Sequence, residues 1–150
     1  MTIEKNLNYF FFDKDLLKRG LTTAEYAIEQ QNNNNQSCAD QDAYVVLGDR
    51  LIQTIVIELL IRYGYTSSSE ITHWLQALVT QENLARISRS LEIDIFIKLS
   101  TLEKQQNFYE KPEILAATLQ AVVAAIYWDG GFRAAAEVVK QLFQDAFSNE

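Results

Sequence analysis

Few side chains in this sequence can do chemistry, and most of them are acids. Asp49 lies in the run Gln41-Asp42-Ala43-Tyr44-Val45-Val46-Leu47-Gly48-Asp49-Arg50, with Asp42 near its start. A second run, Ile114 to Asp129, carries Ala117 and Gln120, and Glu113 stands just before it. Val45 and Asp49 are four residues apart, and Ala117 and Gln120 three, so each pair shares one helical face. Glu113, four residues before Ala117, falls on that second face as well. Carboxylate oxygens are what a hard divalent cation requires. Asp49 reads equally as a buried acid held for a hydrogen bond to a neighbouring helix. Glu113 reads first as a first-turn acid favoured by the helix dipole beside Pro112. One histidine, His73, leaves a histidine-based zinc site without ligands. One cysteine, Cys38, excludes an internal disulfide and fits a reducing cytoplasm.

The elements that position these residues follow from apolar periodicity. At 150 residues, 48% hydrophobic, with one Pro and five Gly, the chain is expected to form a single helix-rich domain over 1–150. Residues 9–30 have a helical pattern, with Asp13 as a start signal. Gln30 to Ser37 is polar and of low complexity, which predicts a mobile loop at 30–40 within the domain. Residues 41–65 predict a long central helix, apolar around much of its girth, stopped by Gly64. Ser67 to Ser69 offer caps for a helix through Leu75 and Leu78, and Gln81 to Leu91 predicts another. Ile93 to Leu99 fits either a short helix or an extended piece, and Thr101 to Lys111 reads as a loop. Pro112 suits a first helical position, and Gly130-Gly131 ends that helix near Trp128. Residues 132–147 predict a last amphipathic helix. No strand pattern and no repeat is present, so the class is all-α. No run approaches the roughly 18 apolar residues of a membrane span, and Met1 to Asn6 lacks the order of a signal peptide. A net charge of −7 lacks the general electrostatic signature of a nucleic-acid binder, leaving only local basic patches for that role.

In order and spacing, these segments resemble the ribonuclease III catalytic (endonuclease) domain over roughly Tyr9 to Val139. Tyr9-Phe10-Phe11-Phe12, then Leu16-Leu17-Lys18-Arg19-Gly20-Leu21-Thr22, follows the family's Tyr-x-Phe…Leu-Leu-x-x-Ala-Leu-Thr opening. Val46-Leu47-Gly48-Asp49 is the core of its Asn-Glu-x-Leu-Glu-Phe-Leu-Gly-Asp signature. Glu70-Ile71-Thr72, Leu84-Ala85-Arg86-Ile87 and Ala125-Ile126-Tyr127-Trp128-Asp129-Gly130-Gly131 complete the series. The resemblance implies an all-helical homodimer that cleaves double-stranded RNA with Mg²⁺. In the family, carboxylates from the signature helix and the later helix hold the metal, which generates hydroxide and steadies displacement at phosphorus.

Mapped residue by residue, the resemblance implies a depleted site. Asp49 is retained. The signature's second Glu falls on Val45, the later Asp on Ala117, and the later Glu on Gln120. The signature's first Glu falls on Asp42, an accessory acid, and Glu113 is the one candidate compensating acid. Val46 replaces a Phe that plugs into the dimer partner, which weakens that plug by about 1–2 kcal/mol. The Mini-ribonuclease III branch also has a non-acidic residue where Val45 stands, but it keeps the later carboxylates and lacks the Tyr-x-Phe opening. Arg86, Arg89 and Lys98 are candidate phosphate contacts, with an Arg89–Glu92 helix pair as the plainer reading. His73-Trp74, placed at a helix start, and Trp128 read as packing residues rather than a site. Phe11 reads as core.

The expectation is therefore a ribonuclease III-like pseudoenzyme acting by binding in RNA processing or on a ribosome, the role of inactive organellar relatives. The alternative is a weak or specialised metal-dependent endoribonuclease, or the non-catalytic half of a heterodimer with an active homologue. The chain ends at Glu150, so the family's double-stranded-RNA-binding domain is expected to be missing.

Overall fold

The computed structural model describes residues 2–148 and is all-α, with no strand among them. In chain order the helices are α1 (Ile3–Leu7), α2 (Lys14–Gly20), α3 (Ala24–Asn34), α4 (Asp42–Arg62), α5 (Ser68–Leu78), α6 (Gln81–Ser90), α7 (Thr101–Gln105), α8 (Pro112–Leu142) and α9 (Gln144–Ser148). Short 3₁₀ turns at Ile93–Ile95 and Phe108–Glu110 flank α7.

Helix α8 is the spine. Leu115, Leu119 and every residue from Ala121 to Ile126 are buried, so it is covered all round by α2, α4 and α6. Pro112 occupies its first turn as expected. The break expected at Gly130-Gly131 is present: Gly131 has φ 86° and ψ −180°, non-helical values of a kind that favour glycine, so α8 is two helical stretches that meet at a kink there. Against the expectation that no run approaches the length of a membrane span, α8 is long and apolar enough to cross one by length and composition, but just over half of its most apolar window is buried inside the bundle. The physical reason for its composition is burial at the centre of the bundle.

Helix α4 packs on α8 more extensively than any other pair does. Tyr44, Gly48, Leu51, Ile52, Ile55, Val56 and Leu60 face inward, while Val46, Ile61 and Tyr63 are exposed. Gly48 sets the crossing. A Cβ there would lie 1.7 Å from the Gln120 carbonyl oxygen, so the two backbones touch at this point.

The N-terminal segment differs from its expectation. Residues 9–30 are not one helix: residues 9–13 are extended, and α2 and α3 are separated at Leu21 to Thr23. Two buried or half-buried carboxylates hold the extended part. Glu4 accepts the Phe11 amide and the Lys14 ammonium, each at 2.7 Å. Asp129 accepts the Tyr9 hydroxyl at 2.6 Å and the amides of Phe12 and Asp13 at 2.9 Å. Burial pushes both carboxyl pKa values up, but these donors and the Lys14 charge outweigh it and hold them below the ordinary values. Burial and the Asp129 acceptor raise the Tyr9 pKa. Phe11 enters the core, and Phe10 and Phe12 stay outside. Asp13 caps α2 as expected.

Other boundaries move for local reasons. The polar stretch expected as a loop at 30–40 is helical through Asn34, where side-chain bonds from Gln31 to Asn35 and from Asn34 to Gln30 run along the helix surface. Thr101 to Lys111 is not a plain loop, because Ser100 and Glu103 form a reciprocal capping box that starts α7. Ile93 to Leu99 begins as a 3₁₀ turn and then extends, with Lys98 donating to the Leu21 carbonyl and accepting from the Thr23 amide. The last helix stops at Leu142, and α9 follows.

Two outcomes are expected. Gly48→Ala must force α4 and α8 apart and should destabilise the protein by about 3 kcal/mol, read by thermal or urea melts. Because the Glu4 and Asp129 pKa values are lowered, their contribution is complete above the ordinary carboxylate range and disappears as pH falls through the lowered values. In melts across acid pH, Glu4→Gln should flatten that loss and reduce stability at neutral pH by about 1–3 kcal/mol.

Candidate functional site

The α4–α8 crossing brings the expected site residues into two adjoining groups. Asp49 follows Gly48 and therefore sits at the rim of the closest approach. Its Oδ1 accepts from the Gln120 side-chain amide at 3.1 Å. Its Oδ2 accepts from the Gln53 side-chain amide at 2.9 Å, and Arg50 Nε stands 3.9 Å from the same oxygen. The Asp49 side chain is 39% exposed, so it is a rim acid rather than a fully buried one. Its bond to α8 is the interhelical hydrogen bond expected under the structural reading.

One turn earlier on α4, Asp42, Val45 and Val46 line a cavity of about 300 Å³ with Ile114 and Ala117 of α8. Val45 and Ala117 are both half-buried, and Asp42 is exposed at the first position of α4. Glu113 lines neither group. Among the described residues no three His, Cys, Asp or Glu side chains converge as a metal site. The residues present do not fit Mg²⁺. An octahedral ion needs several oxygen donors at about 2.0–2.1 Å. Here the groups facing Asp49 are amide N–H donors, which a carboxylate requires and a cation repels.

Gln53 and Arg50 are functional neighbours that sequence reasoning passed over. Gln53 was legible as an i+4 partner of Asp49 on one helix. The remaining candidates are dispersed. Arg86 donates to Asn83 Oδ1. The Arg89–Glu92 pair does not form: Glu92 lies past the end of α6 at φ 59°, and Arg89 donates to the Glu110 carbonyl instead. Lys98 lies over the Tyr26 ring. His73 and Trp74 touch edge to face, but in the middle of α5 and both exposed, not at a helix start. Trp128, expected to be packed, is 58% exposed and borders an apolar cleft with Leu16, Arg19, Ala43, Tyr44 and Leu47.

The family model described as Ribonuclease-III-like matches residues 13–146. The chain belongs to the ribonuclease-III-like family. Ribonuclease 3 of Caulobacter vibrioides is 31% identical over 146 residues, 97% of this chain and 61% of that protein. Ribonuclease 3 of Desulfotalea psychrophila is 32% identical over 141 residues, 93% of this chain and 57% of that protein. The chain thus spans about three fifths of the length of the curated relatives it matches. Two solved structures of the nuclease domain of ribonuclease III from Campylobacter jejuni align at TM-score 0.85 and 28% identity. One covers 97% of this chain and 96% of its own, the other 99% and 95%. The first concerns structural flexibility in a region involved in dimer formation of that nuclease domain. The ribonuclease III family is generally Mg²⁺-dependent.

Proposed function

We propose that this ribonuclease III-like domain does not cleave RNA and works by binding, as a cytoplasmic homodimer in RNA processing or on a structured RNA such as that of a ribosome. The observation that carries the reading is the state of Asp49. Both of its oxygens accept from side-chain amides, one of them from Gln120, the position where the resemblance implies a second metal-binding acid. Without converging carboxylates there is no means of generating metal hydroxide at neutral pH. The family frame persists around that site, which favours retention of a surface over retention of chemistry. The charge of −7 makes such binding depend on shape and local groups more than on bulk attraction.

A specialised nuclease, or the non-catalytic half of a heterodimer, is the second reading. Asp42 favours it, since it shares one cavity with Val45 and Ala117 and that cavity is also lined by Glu25 and Glu103.

Pairing of two copies is assigned to the exposed face at the start of α4, where Val46 is 64% exposed. Sedimentation should find a dimer, and Val46→Glu should shift it toward monomer. An unchanged dimer would move the interface elsewhere.

The purified protein, incubated with double-stranded RNA and Mg²⁺ or Mn²⁺, should leave the RNA intact. Metal-dependent cleavage that Asp49→Ala abolishes would sink the inactive reading. Cleavage by the variant Val45→Glu, Ala117→Asp, Gln120→Glu, and by it alone, is the expected result for a sound frame without its ligands. Gel-shift binding to structured RNA should be the same in EDTA as in Mg²⁺.

A further inference from the structure

The groups around Asp49 do more than leave a metal out. The Gln120 amide reaches Asp49 Oδ1 from α8, and the Gln53 amide reaches Oδ2 from the next turn of α4. These bonds lie beside Gly48, where the two helix backbones are in contact. We propose that Asp49, Gln53 and Gln120 form a divalent-independent clasp that ties α4 to α8, and that Gln120 is the residue that keeps a cation out. The inference rests on the inactive reading above.

The physical argument is one of donors and acceptors. An ionised carboxylate only accepts, so it orients the Gln120 amide with its N–H toward Asp49. That N–H engages Asp49 Oδ1, and a cation binding this oxygen between the two helices would have to turn it away. A carboxylate at 120 reverses the situation. Two acids about 3 Å apart repel unless a cation stands between them. Gln120 therefore removes the need for the ion and supplies a charge-assisted bond between the same two helices. The Arg50 guanidinium, 3.9 Å away and largely exposed, partly offsets the remaining negative charge.

Thermal melts in EDTA and in Mg²⁺ or Mn²⁺ test this. The wild-type protein should melt at the same temperature in both. Gln120→Leu should lower Tm by roughly 2 to 8 °C, equally in both conditions. The losses from Asp49→Ala and Gln120→Leu should fail to add in the double variant, as for groups in direct contact. Gln120→Glu should melt lower than wild type in EDTA and recover when divalent ion is added.

A saturable rise of the wild-type Tm with Mg²⁺ would overturn the clasp, as would strict additivity of the two single losses. If Gln120→Glu does not fold, the double-variant cycle decides alone. Failure of the functional reading is distinguishable. RNA cleavage by a wild-type protein whose melt ignores metal would refute inactivity and leave the clasp standing. A metal-stabilised melt without cleavage would do the reverse.

Discussion

A side chain at residue 48 would place its Cβ 1.7 Å from the Gln120 carbonyl oxygen, so α4 can lie on α8 only because a glycine stands there. Every neighbouring relation is a consequence of that contact. It sets the register in which Val45 faces Ala117 across one cavity and Asp49 faces Gln120. The helices are held mainly by buried apolar residues on α4 and α8, from Leu51 to Leu60 and from Leu115 to Ile126, with the Asp49–Gln120 bond added at the rim.

Around that seam the structure spends its charged groups on local anchorage. Glu4 takes one backbone amide and the Lys14 ammonium, and Asp129 two backbone amides and the Tyr9 hydroxyl, so together they tie an extended segment. Asp49 follows the same logic with side-chain amides. In all three cases the carboxylate is an acceptor for fixed donors. A metal centre would need the opposite arrangement, with several acceptors and no donors pointing inward. The proposed binding role follows from this contrast.

Much of this was legible in the residues. The apolar pattern of 41–65 and the Pro112 start marked the two long helices, because a 3.6-residue period survives wherever one face is buried. The spacings of Val45 to Asp49 and Ala117 to Gln120 placed the site positions on shared faces. The Asn-rich stretch was misread because low complexity was taken to mean loop, while Asn and Gln side chains can bond along a helix surface. Residues 9–13 were misread because a Phe-rich run looks the same in a helix as in an extended strap. What separates the two is Asp129, more than a hundred residues away, whose carboxylate gathers the strap's amides.

The sequence by itself determined the all-α class, the long central helix and the helix that starts at Pro112, and which side chains stand at 45, 49, 117 and 120. These are matters of residue type and periodicity, and they need no partner. Only the tertiary structure decided what Asp49 does. Whether a carboxylate is open to a cation or closed by donors depends on which atoms face it, and those atoms come from the next turn of α4 and from α8, 71 residues further along the chain. The same limit hid the exposure of Trp128 and the grip of Asp129 on the N-terminal strap, since burial and long-range hydrogen bonds belong to the packed molecule and to no single segment.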